Sequence, residues 1–194
     1  MAVCDIVQIG HPALKARNKV IVKFKSSLVK KLISDLVDTM IKNDLIGIAA
    51  PQIGQNYQVF ITEPRKTKAR KGDQVDKLRI YINPKIVNFS KDTSIIYEGC
   101  GSVARGSLFA PVKRVKQITI EAFNQKGKKF RLTTDGILAR VIQHEYDHLL
   151  GVEFTQKITD YKKLCDREFY IKNIRNSVSQ TSVSIITKIE FKYL

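Results

Sequence analysis

Cysteine is scarce. Cys4, Cys100 and Cys165 are the three in 194 residues. An odd, widely spaced set offers no disulfide framework, which argues against a stapled secreted domain and for a reducing compartment. Long apolar runs are missing as well: nothing approaches the roughly 18 uncharged apolar residues of a membrane span. The start, MAVCDIVQIGHP, lacks the basic-then-apolar layout of a secretory signal, with Asp5 where the apolar stretch should be. The expectation is a soluble, cytoplasmic protein with no membrane partner. Ten Gly and five Pro are too few for a fibre, and 43% apolar residues are too many for a disordered chain. There are no repeats and no convincing linker. The length fits one domain over 1–194, with 160–194 as a C-terminal helix and tail, and a chain of this size builds a core without cross-links.

Acidic residues are also few, 18 against 34 Lys and Arg, for a net charge of +16. Such an excess favours polyanionic surfaces, the ribosome or nucleic acid among them. The basic residues are nevertheless spread along the chain, and no nucleic-acid-binding fingerprint accompanies them. Two local clusters stand out, Arg65, Lys66, Lys68, Arg70 and Lys71, then Lys162, Lys163, Arg167, Lys172 and Arg175.

Apolar residues at Leu28, Leu32, Leu36 and Met40 predict an amphipathic helix from about Ser26 to Ile41, with Ser26 or Ser27 as its cap and Asn43-Asp44 as its end. Leu45 to Gly54 is too rich in Gly and Pro to continue it. Short strands are predicted at Gln58 to Thr62, Arg79 to Ile82 and Ile95 to Tyr97, with a solvated loop from Glu63 to Lys77. A hairpin is predicted from Gln117 to Leu132, turning at Asn124-Gln125-Lys126-Gly127. A second helix runs from Ile137 to about Leu150 and is stopped by Gly151. A third is expected over Asp160 to Asn176, and Val183 to Phe191 reads as a terminal strand or a tail.

The second helix carries Gln143-His144-Glu145-Tyr146-Asp147-His148. Two His four residues apart differ by about 40° around a helix and one turn in height, so both imidazoles face one point. The glutamate after the first is placed to act on water held by a metal. Ile137 and Val141 share the stripe, so the His face points inward. A third ligand is required. The position where one metalloprotease pattern places a third His is Phe154, which excludes that pattern. Glu153 is too near, and Glu168 sits on a basic segment. Cys100, between Gly99 and Gly101, can approach a metal closely and would leave an open coordination position, as in a catalytic site.

These residues together resemble the peptide deformylase family, whose ordered motifs are G-Φ-G-Φ-A-A-x-Q, E-G-C-x-S and Q-H-E-x-D-H-x-x-G, with Φ apolar. Here they read Leu45-Ile46-Gly47-Ile48-Ala49-Ala50-Pro51-Gln52, Glu98 to Ser102, and Gln143 to Gly151. The segments Ile6 to Pro12 and Arg79 to Ile86 look like the family's connecting sequence, and the resemblance spans roughly residues 5–155. It implies an α+β fold, small mixed or antiparallel sheets around a central helix bearing the His-Glu-x-x-His motif. It implies a hydrolase that removes the N-formyl group from the N-terminal methionine of newly made polypeptides. Cys100, His144 and His148 would hold one divalent metal, ferrous iron in the cell, with zinc, nickel or cobalt able to occupy the site. Glu145 would be the general acid/base, and Gln52 with the Gly101 N–H would hold the formyl oxygen. The backbone at Ile46, Gly47 and Gly99 would pair with an extended substrate. Glu98 is read as orienting a ligand imidazole, as tying down the glycine-rich strand, or as a surface strand residue.

Three positions depart from the pattern. Leu45 replaces the first glycine, Gly101 stands where most members have Leu, and Ala104 stands where many have Pro. These departures bear on substrate range rather than on metal binding. Two other readings compete: a metalloprotease using His144, His148 and Glu168, and a basic ribosome- or nucleic-acid-binding protein with a vestigial metal site. Ribosome contact through the basic segment Lys162 to Arg175 is compatible with the leading reading.

Overall fold

A computed structural model describes residues 3–67 and 74–194. Lys68, Arg70 and Lys71 of the first basic cluster therefore lie outside the described residues. Helix α1, Ser27–Lys42, forms where the sequence predicts it. Ser26 caps it by accepting a hydrogen bond from the Val29 N–H at 3.3 Å, and Asp44 leaves it at a positive φ of 58°.

Strands β1 (Gly47–Ala49), β2 (Val59–Thr62), β3 (Arg79–Phe89), β6 (Gln117–Phe123), β7 (Lys129–Asp135) and β9 (Ile189–Tyr193) form an antiparallel sheet in the order β1-β2-β3-β6-β7-β9. Strands β4 (Thr93–Gly99), β5 (Leu108–Val115) and β8 (Cys165–Asp166) form a second, in the order β4-β5-β8. Every ladder is antiparallel. The α+β expectation holds, with helix α2, Gly136–Leu149, at the centre.

Helix α2 works because its faces differ. Leu138, Ala139 and Ile142 are fully buried against Phe60, Tyr81 and Ile120 of the large sheet. Arg140, His144 and Asp147, one turn apart, face the small sheet and contact Glu98 or Arg114. On the other side of the large sheet, Val29, Leu32, Leu36 and Met40 of α1 pack on Ile48, Val59, Ile61 and Ile82. Strand β2 lies between the helices, so all four of its residues are buried and it reads as a continuous apolar run. Gly151, at φ 71°, ends α2 as its sequence position predicts.

Two readings need correction, and one pair of alternatives is decided. Strand β5 is not anticipated, and β3 and β4 extend beyond the segments predicted for them. The helix expected over 160–176 is instead a short turn at Tyr161–Lys163, strand β8, a helical turn α3 (Arg167–Phe169) that runs on to Ile174, and a separate helix α4, Val178–Ser184. Two aspartates break it. Asp160 accepts from the Lys162 N–H and Asp166 from the Phe169 N–H, so each starts a new turn. Leu164 and Phe169 are exposed, and Tyr170 is the residue that buries, stacked on Phe109 with ring centroids 4.1 Å apart. Finally, the end of the chain is strand β9 at the edge of the large sheet, with Phe191 against Phe130. Among the described residues no helix is long and apolar enough to cross a membrane.

Candidate active site

Helix α2 presents His144 and His148 one turn apart, with ring centroids separated by 5.1 Å. Strand β4 ends at Gly99 and delivers Cys100 to the same point, where its Sγ lies 3.3 Å from His148 Nε2. One ligand atom from each of Cys100, His144 and His148 falls within 4.8 Å of the others. A thiol sulfur and two imidazole nitrogens suit a borderline-soft divalent cation, and three protein donors are the number found in catalytic rather than structural tetrahedral sites.

Glu145 follows His144 on the helix and is almost wholly buried. Among the described residues its Oε2 has no hydrogen-bond partner. A buried carboxylate oxygen with nothing to accept from is what a neighbouring water or substrate N–H would satisfy, so the residues present fit the cation. Burial pushes the Glu145 carboxyl up to about 7, against the opposing pull of His144 and Arg114. Gly47 makes room for it. A Cβ there would lie 2.5 Å from Val141 Cγ1 and 2.7 Å from Glu145 Oε1, so β1 approaches the helix this closely only with glycine at that position.

Gln52, 2% exposed, sits in the short turn Ala50–Ile53 after β1. Its Oε1 accepts from the Ala49 N–H at 2.8 Å, which turns the Nε2 donor toward Cys100 Sγ (3.5 Å) and Ser102 Oγ (3.3 Å). The Gly101 N–H has no hydrogen-bond partner among the described residues.

The backbone assigned to substrate is divided. The Ile46 carbonyl already accepts from the Glu63 N–H at 2.8 Å, so it faces β2. By the two-residue alternation of an antiparallel ladder, Gly47 presents its N–H and C=O to the open side of β1, an edge strand. Strand β4 is likewise an edge. The Gln180 amide takes the outward N–H and C=O of Tyr97, both at 3.0 Å, and Gly99, two residues on, faces the same way.

Beneath the cluster lies a buried ionic network. Glu98 Oε2 is 3.0 Å from His144 Nδ1, and the carboxylate binds Arg114 at 2.7 and 2.9 Å and Arg140 at 2.6 Å. Arg114 also reaches Asp147 at 2.7 Å, and Lys157 binds the other oxygen of Asp147 at 2.7 Å. Burial alone would raise the Glu98 carboxyl. Arg114 and His144 overcome it and hold Glu98 well below the usual carboxylate range. Of the readings of Glu98, the surface one does not match the geometry, since the carboxylate is buried and touches both a candidate ligand imidazole and Arg114 of the neighbouring strand. The sequence assigns no role to Arg114, Arg140, Asp147 or Lys157. The available signal is the alternation Ala110-Val112-Arg114 along β5, which places an arginine at a core-facing position.

Glu168 lies exposed on α3 and is not in the Cys-His-His group, and Glu153 is buried in an ion pair with Lys15 at 2.7 Å. The third-ligand alternatives therefore stand apart from the cluster.

The comparisons agree in direction. The Polypeptide deformylase family model matches residues 3–164. Peptide deformylase 1 of Bacillus anthracis is 38% identical over 161 residues, covering 83% of this chain and 96% of its own. The structure of peptide deformylase from Thermotoga maritima superposes with a TM-score of 0.71 at 31% identity, over 82% of this chain and 100% of that one. The Met-Ala-Ser-bound class I type b peptide deformylase of Acinetobacter baumannii gives a TM-score of 0.76 at 26% identity, over 81% and 99%. With a sequence match across most of its length and a shared fold, this chain belongs to the polypeptide deformylase family.

Proposed function

We propose that the protein is a metal-dependent amide hydrolase that removes the N-formyl group from the N-terminal methionine of newly made polypeptides, with Cys100, His144 and His148 as its metal ligands. The observation that carries the assignment is the convergence of those three donors beside Glu145, whose buried Oε2 is unpartnered. Cys100, His144 and His148 would hold a divalent cation, which would supply Lewis acidity for activating water near neutral pH. Glu145 Oε2 receives the proton of the attacking water and passes it to the leaving amine, a role suited to a carboxyl poised near 7. Gln52 Nε2 and the Gly101 N–H donate to the formyl oxygen as negative charge grows on it, each worth about 3 kcal/mol in such a setting. The open edges at Gly47 and Gly99 receive the peptide as an added strand, with Ile46 as the neighbour that ties β1 to β2.

The donor set supports ferrous iron as the cellular metal, because thiolate suits a soft, redox-active ion. Zinc, nickel and cobalt share the same donors. The cytoplasm is the compartment such a thiolate site favours. A ribosome contact is supported by charge alone: Lys162, Lys163, Arg167 and Lys172 are exposed on the C-terminal segment, and the substrate emerges from a polyanionic particle. Charge reversal at these four residues should reduce co-sedimentation with ribosomes, and unchanged co-sedimentation rules the contact out. The function itself is tested by formate release across a panel of formylated peptides prepared anaerobically, with metal content measured in parallel. Turnover of formyl-Met-Ala-Ser is expected, and its absence from metal-loaded protein overturns the assignment.

A further inference from the structure

One side chain of the N-terminal segment reaches into the loop that follows Cys100, and the mechanism above does not use it. Gln8 Nε2 donates to the Gly101 carbonyl at 2.9 Å and to the Ile6 carbonyl at 3.1 Å, and its Oε1 accepts from the Arg105 N–H at 2.8 Å. The half-buried amide thus spans both ends of the turn from Gly101 to Arg105. That turn is strained. Ala104 and Arg105 are consecutive non-glycine residues at φ 47° and 52°, a conformation costing of order 1 kcal/mol per residue that persists only where surrounding contacts enforce it. Gly101 has no side chain to anchor it, and the space its Cβ would enter is bounded by Ile6 Cδ1 at 3.3 Å and Leu45 Cδ1 at 3.6 Å. The neighbouring backbone bond, from the Ile9 N–H to the Ser102 carbonyl at 2.7 Å, holds the chain one residue later. Of the peptide planes on either side of the Gly101 Cα, the one before it is tied through the Cys100 carbonyl, which accepts from the Val103 N–H at 3.0 Å, and the one after it is held by Gln8.

We propose that Gln8 is a positioning residue. By holding the Gly101 carbonyl and the Arg105 N–H, it aims the Gly101 N–H at the place where the formyl oxygen becomes negative. The inference rests on the reading that this N–H serves that oxygen. A donor that strengthens as charge develops acts on the transition state, so its misalignment lowers kcat and leaves KM nearly unchanged.

The test compares wild-type protein, Gln8→Ala and Gln8→Glu with formyl-Met-Ala-Ser, together with Cys100→Ala as the reference for loss of the site. Glu at position 8 keeps the acceptor for the Arg105 N–H but loses the donor to the Gly101 carbonyl. Both position-8 variants should lose about ten- to a hundredfold in kcat. KM should stay within about twofold, bound metal at the wild-type level, and the Gly101 amide resonance in zinc-loaded protein should shift from its wild-type position. Wild-type kcat in Gln8→Ala, an unshifted Gly101 amide resonance, a rise in KM that accounts for the loss, or a parallel loss of metal and melting temperature each overturns the proposal. No formate release from metal-loaded wild-type protein would instead overturn the deformylase reading, so the two failures are distinct.

Discussion

Glu98 Oε2 and His144 Nδ1 lie 3.0 Å apart in a buried site, and this bond decides which nitrogen of His144 is left for a metal. Because Glu98 occupies Nδ1, the nitrogen left free to meet a cation is Nε2, and the contact fixes the ring plane. Arg114 and Arg140 hold Glu98 in turn, so the orientation of a candidate ligand is tied to strand β5 and to the first turns of α2.

Replacing that carboxylate should therefore injure the fold and the metal site together. Glu98→Gln leaves Arg114 and Arg140 short of buried countercharge, a change that costs about 3–5 kcal/mol when one partner of a buried ionic group is lost. It should also weaken metal binding about 10- to 100-fold. Denaturant unfolding and competition with a chelator measure the two effects. Wild-type metal affinity in a folded Glu98→Gln protein would show that the imidazole is oriented by something else.

Gly47→Ala tests the close approach of β1 to the catalytic helix. The new Cβ would fall 2.5 Å from Val141 Cγ1 and 2.7 Å from Glu145 Oε1, so either strand or carboxylate must move. Overpacking of this kind costs about 1–3 kcal/mol. Turnover should fall at least about tenfold with metal content unchanged, because the proposed role of the displaced carboxylate is to carry the proton rather than to bind the metal. Normal turnover would mean that the strand yields and Glu145 does not.

Leu45 and Gly101 form a size-exchanged pair. Each departs from the family pattern, in opposite directions, and the Leu45 side chain lies 3.6 Å from where a Cβ at 101 would sit. Gly101→Leu alone should destabilise by about 1–3 kcal/mol through overpacking. Adding Leu45→Gly should recover part of that loss, with a coupling energy of at least about 1 kcal/mol in a double-mutant cycle. Strict additivity in denaturant unfolding would show that Ile6 alone sets the space at residue 101.

Gln180 acts as a one-residue partner strand for β4. It is buried, pairs with both backbone groups of Tyr97, and donates to the Tyr170 hydroxyl at 3.2 Å. Gln180→Ala should cost about 1–3 kcal/mol, because the Tyr97 groups lose their partner. Formate release per folded molecule should stay close to wild type, since Gly99 is untouched. Unchanged stability by thermal unfolding would mean that water replaces the amide at no cost.

What was legible in the sequence was local. Helix α2 follows from a 3.6-residue period and a glycine past its end, and the His-Glu-x-x-His spacing requires nothing beyond that helix. Cys100 could be singled out because two glycines flank it. The Arg114 contacts were not legible in the same way. Its partners are 16 and 33 residues away, on β4 and α2, and the alternation along β5 marks a core-facing position without naming those partners. The helix expected over 160–176 fails for a reason that is local but opposed. Leu164, Phe169 and Ile174 suggest an apolar face, while Asp160 and Asp166 each cap a new turn, and the caps prevail because Leu164 and Phe169 have no core to enter. Strand β9 forms because Phe191 finds Phe130 at the sheet edge, a long-range contact that its own composition does not reveal.

The central claim is that Cys100, His144 and His148 hold one cation at which formyl peptides are hydrolysed, and its most direct measurement is bound metal in Cys100→Ala protein beside formate release from formyl-Met-Ala-Ser. Wild-type protein purified without oxygen should carry about one divalent cation per chain and turn over, while Cys100→Ala should lose both. A Cys100→Ala protein that keeps its full complement of metal and its formate release would contradict the account.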